Sequence, residues 1–425
     1  MAKLIQPVRG MNDILPEEEA AWALVESTAT DIFDGYGYKR IQIPLLERTE
    51  LFRRSIGEVT DIVEKEMYTF EDLNGDSVTL RPEATAGVVR AGLSHGLFHN
   101  QQQKLWCSGP MFRHERPQKG RYRQFHQLNV EAVGYPGPAM DAELIVMAAR
   151  LWKRLGLISP TLEINSLGIP AVRGNYREAL IEYFTARQDQ LDKDSQRRLE
   201  RNPIRILDSK NPSMQSLLAE APVLSDYLDS ESCAHFEEVK SLLVSVGVVF
   251  VENPRLVRGL DYYSRTVFEW VTDRLGAQSA VCSGGRYDGL ISHLGGKDTP
   301  AVGWALGVER VVELLRVEAC DVPNRVPDAY LVMAGDVARR QGFALGESLR
   351  DLVSGLRLSA DAVGGSLKSQ LRRADRSGAQ LALILGDDEV QGDRISVKPL
   401  REEGPQIALT LDELVEHLRN GTDQP

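Results

Sequence analysis

The chain has 425 residues, 42% of them hydrophobic and 26% charged, with a net charge of −11 at pH 7. That length and balance describe two or three globular domains rather than a disordered scaffold, and the acidic charge excludes a protein that coats nucleic acid through bulk positive charge. The N-terminal text MAKLIQPVRGMNDILPEEE has no apolar targeting core, and no run approaches the roughly 18 apolar residues of a membrane span, so a cytoplasmic protein with no membrane partner is expected.

In chain order, Trp22, Val25, Ala29 and Ile32 recur at helical steps behind Pro16, which predicts an amphipathic helix over 17–33. After DGYGYKR comes IQIPLLERTELF, an apolar run that reads as a strand interrupted by Pro44 and suited to an edge or a partner interface. Leu144, Met147, Ala148, Leu151, Trp152 and Leu155 form one stripe and Gly156 follows, which predicts a helix over 141–155. From about 168 to 235 the text is charged and poor in strand signals, and reads as a helical insertion. Residues 245–315 return to strand-like, glycine-rich text, and EACDVPNRVPD reads as a linker. Beyond it AYLVMAG, VARRQGFALGESLRDLVSG, RLSADAV, KSQLRRADRSG, ALILG and LDELVEHLRN alternate strand and helix, so domains over 1–325 and 326–425 are expected.

The segment FRHERPQKGRYRQFHQLNVEAVG carries most of the chemistry. Between Arg113 and His126 there are five Lys or Arg against the single acid Glu115, with Pro117 and Gly120 marking a loop, and clustered arginines suit polyphosphate. By itself this is equally well a solvated loop. QLNVEAV, however, alternates, sending Gln127, Asn129 and Glu131 to one face and Leu128, Val130 and Ala132 to the other, which predicts a polar-lined pocket beside the cations. Glu131, and Glu83 in RPEATAG, can accept hydrogen bonds from an amine or an imidazole N–H. RGLDYYSRTVFEW presents Arg258 and Asp261 before a tyrosine pair, SGGRYDGL has glycines that admit close approach of a ligand, and GWALGVER sets Arg310 ahead of a helical stripe. GGKDT is not a Walker loop. Cys107, Cys233, Cys282 and Cys320 form no CxxC pair, and His95 and His99 lack a third ligand, so no protein-bound structural metal is expected.

At these motifs the chain resembles the histidyl-tRNA synthetases over nearly its whole length, from PVRGMNDILP onward. FRHE and the loop after it are similar to class II motif 2, GWALGVER to motif 3 and YKRIQIPLLE to motif 1, while RGLDYYSRTVFEW and GGRYDGL resemble the two signatures peculiar to the histidine enzymes. The resemblance implies an α+β fold: an antiparallel six-stranded sheet flanked by helices, a helical insertion and a C-terminal α/β anticodon-binding domain. It implies ligation of L-histidine to histidine tRNA through a histidyl-adenylate, with ATP as substrate, Mg2+ accompanying its phosphates, and a homodimer. It assigns catalysis to Arg258, Arg113 and Gln127, and ATP binding to Arg113, Glu115, Arg121, Phe125 and Arg310. Histidine binding falls to Glu83, Ala84, Thr85, Arg113, Gln127, Glu131, Arg258, Tyr262, Tyr263 and Tyr287, and the tRNA acceptor end to Gln118 and Arg123. Ala84 departs from the family's usual PEGTAG, which implies a slightly reshaped pocket edge. Residues 337–380, with eight Lys or Arg against four acids, are expected to meet the anticodon. The rival is a histidine-sensing regulatory subunit of ATP phosphoribosyltransferase, whose relatives lack the anticodon domain.

Overall fold

The computed structural model describes residues 4–57, 60, 62–207, 209, 211–276, 280–323 and 326–422. Its chain divides into two compact units, Met1–Pro323 and Asn324–Pro425. Asn324 and Arg325 of the expected linker lie outside the described residues.

The first unit contains β1 (Lys39–Arg40), β2 (Leu46–Arg48), β3 (Tyr68–Glu71), β4 (Ser77–Leu80), β5 (Gln103–Phe112), β6 (Gln124–Val133), β7 (Thr161–Ser166), β8 (Phe250–Glu252), β9 (Ser264–Val271), β10 (Ala280–Arg286) and β11 (Ala301–Gly307). Its main sheet runs β1-β5-β6-β11-β10-β9-β7-β8. The six central strands are antiparallel throughout, as expected, while the short β1 and β8 add a parallel edge on each side and make the sheet eight-stranded.

One face of this sheet is dry. The helices Pro16–Gly35, Pro138–Leu155 and Val308–Val317 lay Val25, Ile32, Leu144, Met147, Leu151 and Val311 against Leu128, Val130, Trp304 and Leu306 of the strands. Gly156, left-handed at φ 74°, ends the second helix where the stripe stops. The expected strand over IQIPLLERTELF is shorter than its apolar text. Only Leu46–Arg48 pairs, and Thr49 begins a helix to Ile56, because TELFRRSI places Leu51, Phe52, Ser55 and Ile56 on one buried face.

The insertion is helical, with Pro170–Thr185, Lys193–Arg201 and Gln215–Ala219 packing Tyr176, Leu180, Phe184, Met214 and Leu218 together. Its last helix, Ser230–Ser245, runs past the expected edge at 235, because Phe236, Val239 and Leu243 join the core of the main sheet.

In the second unit β12 (Ala329–Ala334), β13 (Leu358–Ala360), β14 (Leu381–Gly386), β15 (Ile395–Pro399) and β16 (Ile407–Leu409) form one sheet in the order β13-β12-β14-β15-β16. β12 is parallel to β13 and β14, and the last two strands run antiparallel. Fully buried Gln370 accepts from the Met333 N–H (2.8 Å) and donates to the Met333 carbonyl (2.7 Å), so a side chain on helix Leu367–Arg376 completes the hydrogen bonding of β12.

Candidate active site

The other face of the main sheet carries a polar cavity, and strand register shows why it is hollow. Gln127, Asn129 and Glu131 of β6 lie opposite Gly307, Ala305 and Gly303 of β11, so each polar side chain faces a residue with almost no side chain. The alternate positions pair Leu128 with Leu306 and Val130 with Trp304 on the dry face. A Cβ on Gly303 would sit 1.8 Å from Oε2 of Glu131. Glu131 therefore occupies space that only glycine leaves.

Glu131, 1% exposed, closes the floor at the amino-acid end of this cavity. Thr85 Oγ1 donates to its Oε1 at 2.6 Å, and the Tyr287 hydroxyl donates to its Oε2. Burial nevertheless pushes its carboxyl up to about 8, opposing those two donors and aided by the charge of Glu83. Glu83 accepts from the Thr85 N–H (2.7 Å) and the Ala86 N–H (2.9 Å), satisfying open donors at the start of helix Thr85–Ser94, and burial also raises its carboxyl. Tyr262, Tyr263 and Tyr287 pack in a triad, one pair tilted and two edge-to-face, with ring centroids 4.7, 5.6 and 6.5 Å apart. Oε1 of Gln127 and Oδ1 of Asn129 are buried without a hydrogen-bond partner among the described residues, and both side chains line the cavity. Two open acceptors suit a ligand that brings N–H donors.

Four arginines line the rest of the cavity: Arg113, Arg121, Arg310 and Arg258, the last meeting the tyrosines with its guanidinium 5.3 Å from the Tyr263 ring. Arg113 donates from Nε to the Pro82 carbonyl (2.9 Å) and lies 5.3 Å from the centre of the Phe125 ring. Arg310 donates to the carbonyls of Gly120 (2.9 Å) and Ala280 (2.5 Å). Burial, then repulsion from Arg113 and Arg121, brings Arg310 down to about 10. Arg121 pairs with Glu115, and Arg258 with Glu269. Burial opposes the charge on Arg258, but Glu269 holds it above its ordinary value. The basic segment is a hairpin joining β5 to β6, turned by Gly120 at φ 71° and closed by paired backbone bonds between Gln118 and Arg121 (3.0 and 2.9 Å). An N-terminal strap fixes its base: the Gly10 carbonyl accepts from the N–H groups of Arg123 (2.7 Å) and Gln124 (3.2 Å).

Glu83, Thr85, Arg113, Glu115, Arg121, Phe125, Gln127, Arg258, Tyr262, Tyr263, Tyr287 and Arg310 thus share one cavity. Glu131 lies just beneath it. Ala84 does not reach it: its side chain is buried with Ile43, Val88 and Leu105, which places the expected change of pocket edge in an apolar cluster instead. Gln118 is exposed at the hairpin tip, and Arg123 turns aside to donate to the Glu115 carbonyl (3.1 Å). Among the residues the sequence reading left out are Asn129, already visible on the polar face of QLNVEAV, and Glu309, which accepts from the His126 N–H and Nδ1 at 2.9 Å. Glu269 and Asp141 are further omissions. Asp141 and Arg286, both 0% exposed, form a buried ion pair that also includes the carbonyls of Tyr135 and Gly137 (2.9 Å each), so the arginine of GGRYDGL anchors the backbone next to Tyr287.

A central antiparallel sheet whose motif hairpin and helix-start arginine converge on a two-ended cavity, accompanied by a separate α/β unit, has the architecture of a class II aminoacyl-tRNA synthetase. Residues 10–311 match the sequence family described as Histidyl-tRNA synthetase, and residues 343–421 match the one described as Anticodon binding domain. The Histidine--tRNA ligase of Halorhodospira halophila is 57% identical over 417 residues, covering 98% of each chain. Among solved structures, the apo histidyl-tRNA synthetase of S. aureus is 37% identical with a TM-score of 0.82, covering 98% of this chain and 100% of that one. A Bacillus halodurans protein described as an ATP phosphoribosyltransferase regulatory subunit/histidyl-tRNA synthetase shares the fold at 22% identity and a TM-score of 0.65, covering 91% of this chain and 99% of that one. The chain belongs to the histidyl-tRNA synthetase family.

Proposed function

We propose that the protein ligates L-histidine to the 3′ end of histidine tRNA in two steps within this cavity, consuming ATP and releasing pyrophosphate and AMP. The observation that carries the reading is the division of one cavity between a carboxylate-and-tyrosine end and a four-arginine end. In the first step a histidine carboxylate oxygen bonds to the α-phosphorus of ATP while the bond to the pyrophosphate oxygen breaks, and the charge that develops falls among Arg113, Arg258 and Arg310. Magnesium enters with the outer phosphates as part of the ATP substrate, and Arg121 meets those phosphates from the hairpin. Phe125 offers its ring to the adenine, with Glu115 beside it.

Glu131, Thr85 and the tyrosines recognise the imidazole. A site whose buried polar groups go unpaired with the wrong side chain discriminates by about 10⁴ or more. In the second step the terminal ribose hydroxyl of tRNA attacks the adenylate carbonyl and AMP leaves, with Gln127 positioning the amino acid. Gln118, exposed at the hairpin tip, meets the acceptor end, Arg123 braces the base of that hairpin, and the second unit takes the anticodon, whose single-stranded bases are readable. A homodimer and a cytoplasmic location complete the reading; among the described residues no helix is long and apolar enough to cross a membrane.

Amino-acid-dependent ATP–pyrophosphate exchange, followed by transfer to unfractionated tRNA, tests this. Exchange with histidine alone, lowered about 10²–10³-fold by Arg258→Ala, is the expected result. Histidine binding without exchange would instead favour a histidine sensor.

A further inference from the structure

The geometry points to Glu269 as a positioning residue for adenylation: it fixes the Arg258 guanidinium in the wall of the cavity, where the α-phosphate and the histidine carboxylate would meet. The inference rests on the adenylation reading above and goes beyond it by naming the group that sets the arginine's attitude.

Register places Glu269. Asn129 of β6 pairs with Ala305 of β11, Ala305 with Ser283 of β10, and Ser283 with Glu269 of β9. Residues directly opposite one another share a face of the sheet, so Glu269 continues the row in which Asn129 and Ser283 line the cavity. Beyond it, on β7, stands Glu163, a like charge that accepts from Asn253 Nδ2 at 2.6 Å. The ion pair of Glu269 runs instead to Arg258, and its charge also acts on Arg310.

Arg258 lies in neither a helix nor a strand, so regular backbone geometry does not aim its side chain. Two contacts do: the ion pair to Glu269 through Nη1, and the Tyr263 ring 5.3 Å away. Its Nε is buried without a hydrogen-bond partner among the described residues, and the residue itself lines the cavity. The neighbouring Arg113 and Arg310 repel a third cation, and before ATP arrives a fixed anion beneath Arg258 is what keeps it among them. A neutral residue at 269 leaves the guanidinium to drift toward other acceptors. Catalysis is sensitive to such a displacement because misplacement by about 1 Å costs on the order of 10²-fold.

The test is a double-mutant cycle in the full-length protein, read by histidine-dependent ATP–pyrophosphate exchange. Glu269→Ala is expected to lower kcat by about 10- to 100-fold with the KM for ATP changed less than about threefold, and Glu269→Gln, which keeps a hydrogen bond but not the charge, falls between. In an Arg258→Ala background, removing Glu269 is expected to cost several-fold less than in the unmodified protein, since the arginine of its ion pair is already gone and what remains is its charge on Arg310. Equal losses in both backgrounds, or full activity of Glu269→Ala, overturn the inference. So does a raised magnesium requirement that persists in the Arg258→Ala background, because Glu269 then serves the metal. If Glu269→Ala fails to fold, Glu269→Gln carries the same cycle. Absence of histidine-dependent exchange in the unmodified protein overturns the functional reading and this inference with it, whereas exchange with additive losses overturns this inference alone.

Discussion

The two ends of the cavity are built on opposite principles. At the amino-acid end the carboxylates are already satisfied by the protein: Glu131 by Thr85 and Tyr287, Glu83 by two backbone N–H groups of a helix start. At the phosphate end the arginines come from a hairpin, an irregular segment and the start of a helix, and burial or mutual repulsion lowers Arg113 and Arg310. At the first end the carboxylates are held by the protein and the amide oxygens of Gln127 and Asn129 remain open to a ligand's donors; the second end gathers cations for an anion. Selectivity is therefore stored in the hydrogen-bonded geometry of one end and reactivity in the crowding of four arginines at the other.

Substitutions separate the two ends. The largest effect is expected from Asp141→Ala, which takes the carboxylate bound to Nε and Nη2 from a fully buried Arg286 and leaves it Asp288 at 3.1 Å: about 3–5 kcal/mol of stability should be lost in chemical denaturation. If the amino-acid end depends on that anchor, histidine affinity falls before ATP affinity as the protein loosens.

Next is the pH response of Glu131. Its carboxyl is raised from an ordinary 4.5 to about 8, so the folded state holds a proton that the unfolded chain releases. The stability this provides is complete below about 4.5 and is lost as pH rises through 8, by up to about 1.4 kcal/mol per unit crossed. Tm of the ligand-free protein should fall over that window, and the difference between wild type and Glu131→Gln isolates the contribution. A difference that is flat with pH would mean that Glu131 stays ionised.

Gly303→Ala should cost about 1–3 kcal/mol through overpacking, because its Cβ meets Glu131 Oε2 at 1.8 Å and the Val130 carbonyl at 2.6 Å. Calorimetry should show histidine binding weakened at least about tenfold with ATP binding little changed; equal losses would erase the distinction between the ends. The smallest effect is at the other end, where Gly10→Ala forces a left-handed residue (φ 85°) and a Cβ 2.8 Å from Pro117 against the base of the hairpin. About 1–2 kcal/mol of strain is expected, read as a severalfold rise in the KM for ATP with the KM for histidine unchanged.

The sequence by itself determined whatever repeats locally. The 141–155 stripe gave its helix, Pro117 and Gly120 a basic loop, and the alternation in QLNVEAV the common face of Gln127, Asn129 and Glu131. Motif resemblance then named most of the cavity's side chains. Alternation says which residues of a strand share a face, but not which strand lies alongside, and only the tertiary structure decided that Gly303 sits opposite Glu131 and Glu269 in the row with Asn129. The same holds for Arg286 closing on Asp141, for Arg258 on Glu269, and for Gly10 beneath Arg123. These contacts join residues far apart in the chain, and no short-range period encodes them: they exist because the sheet closes in one register and buries charges that must then find partners.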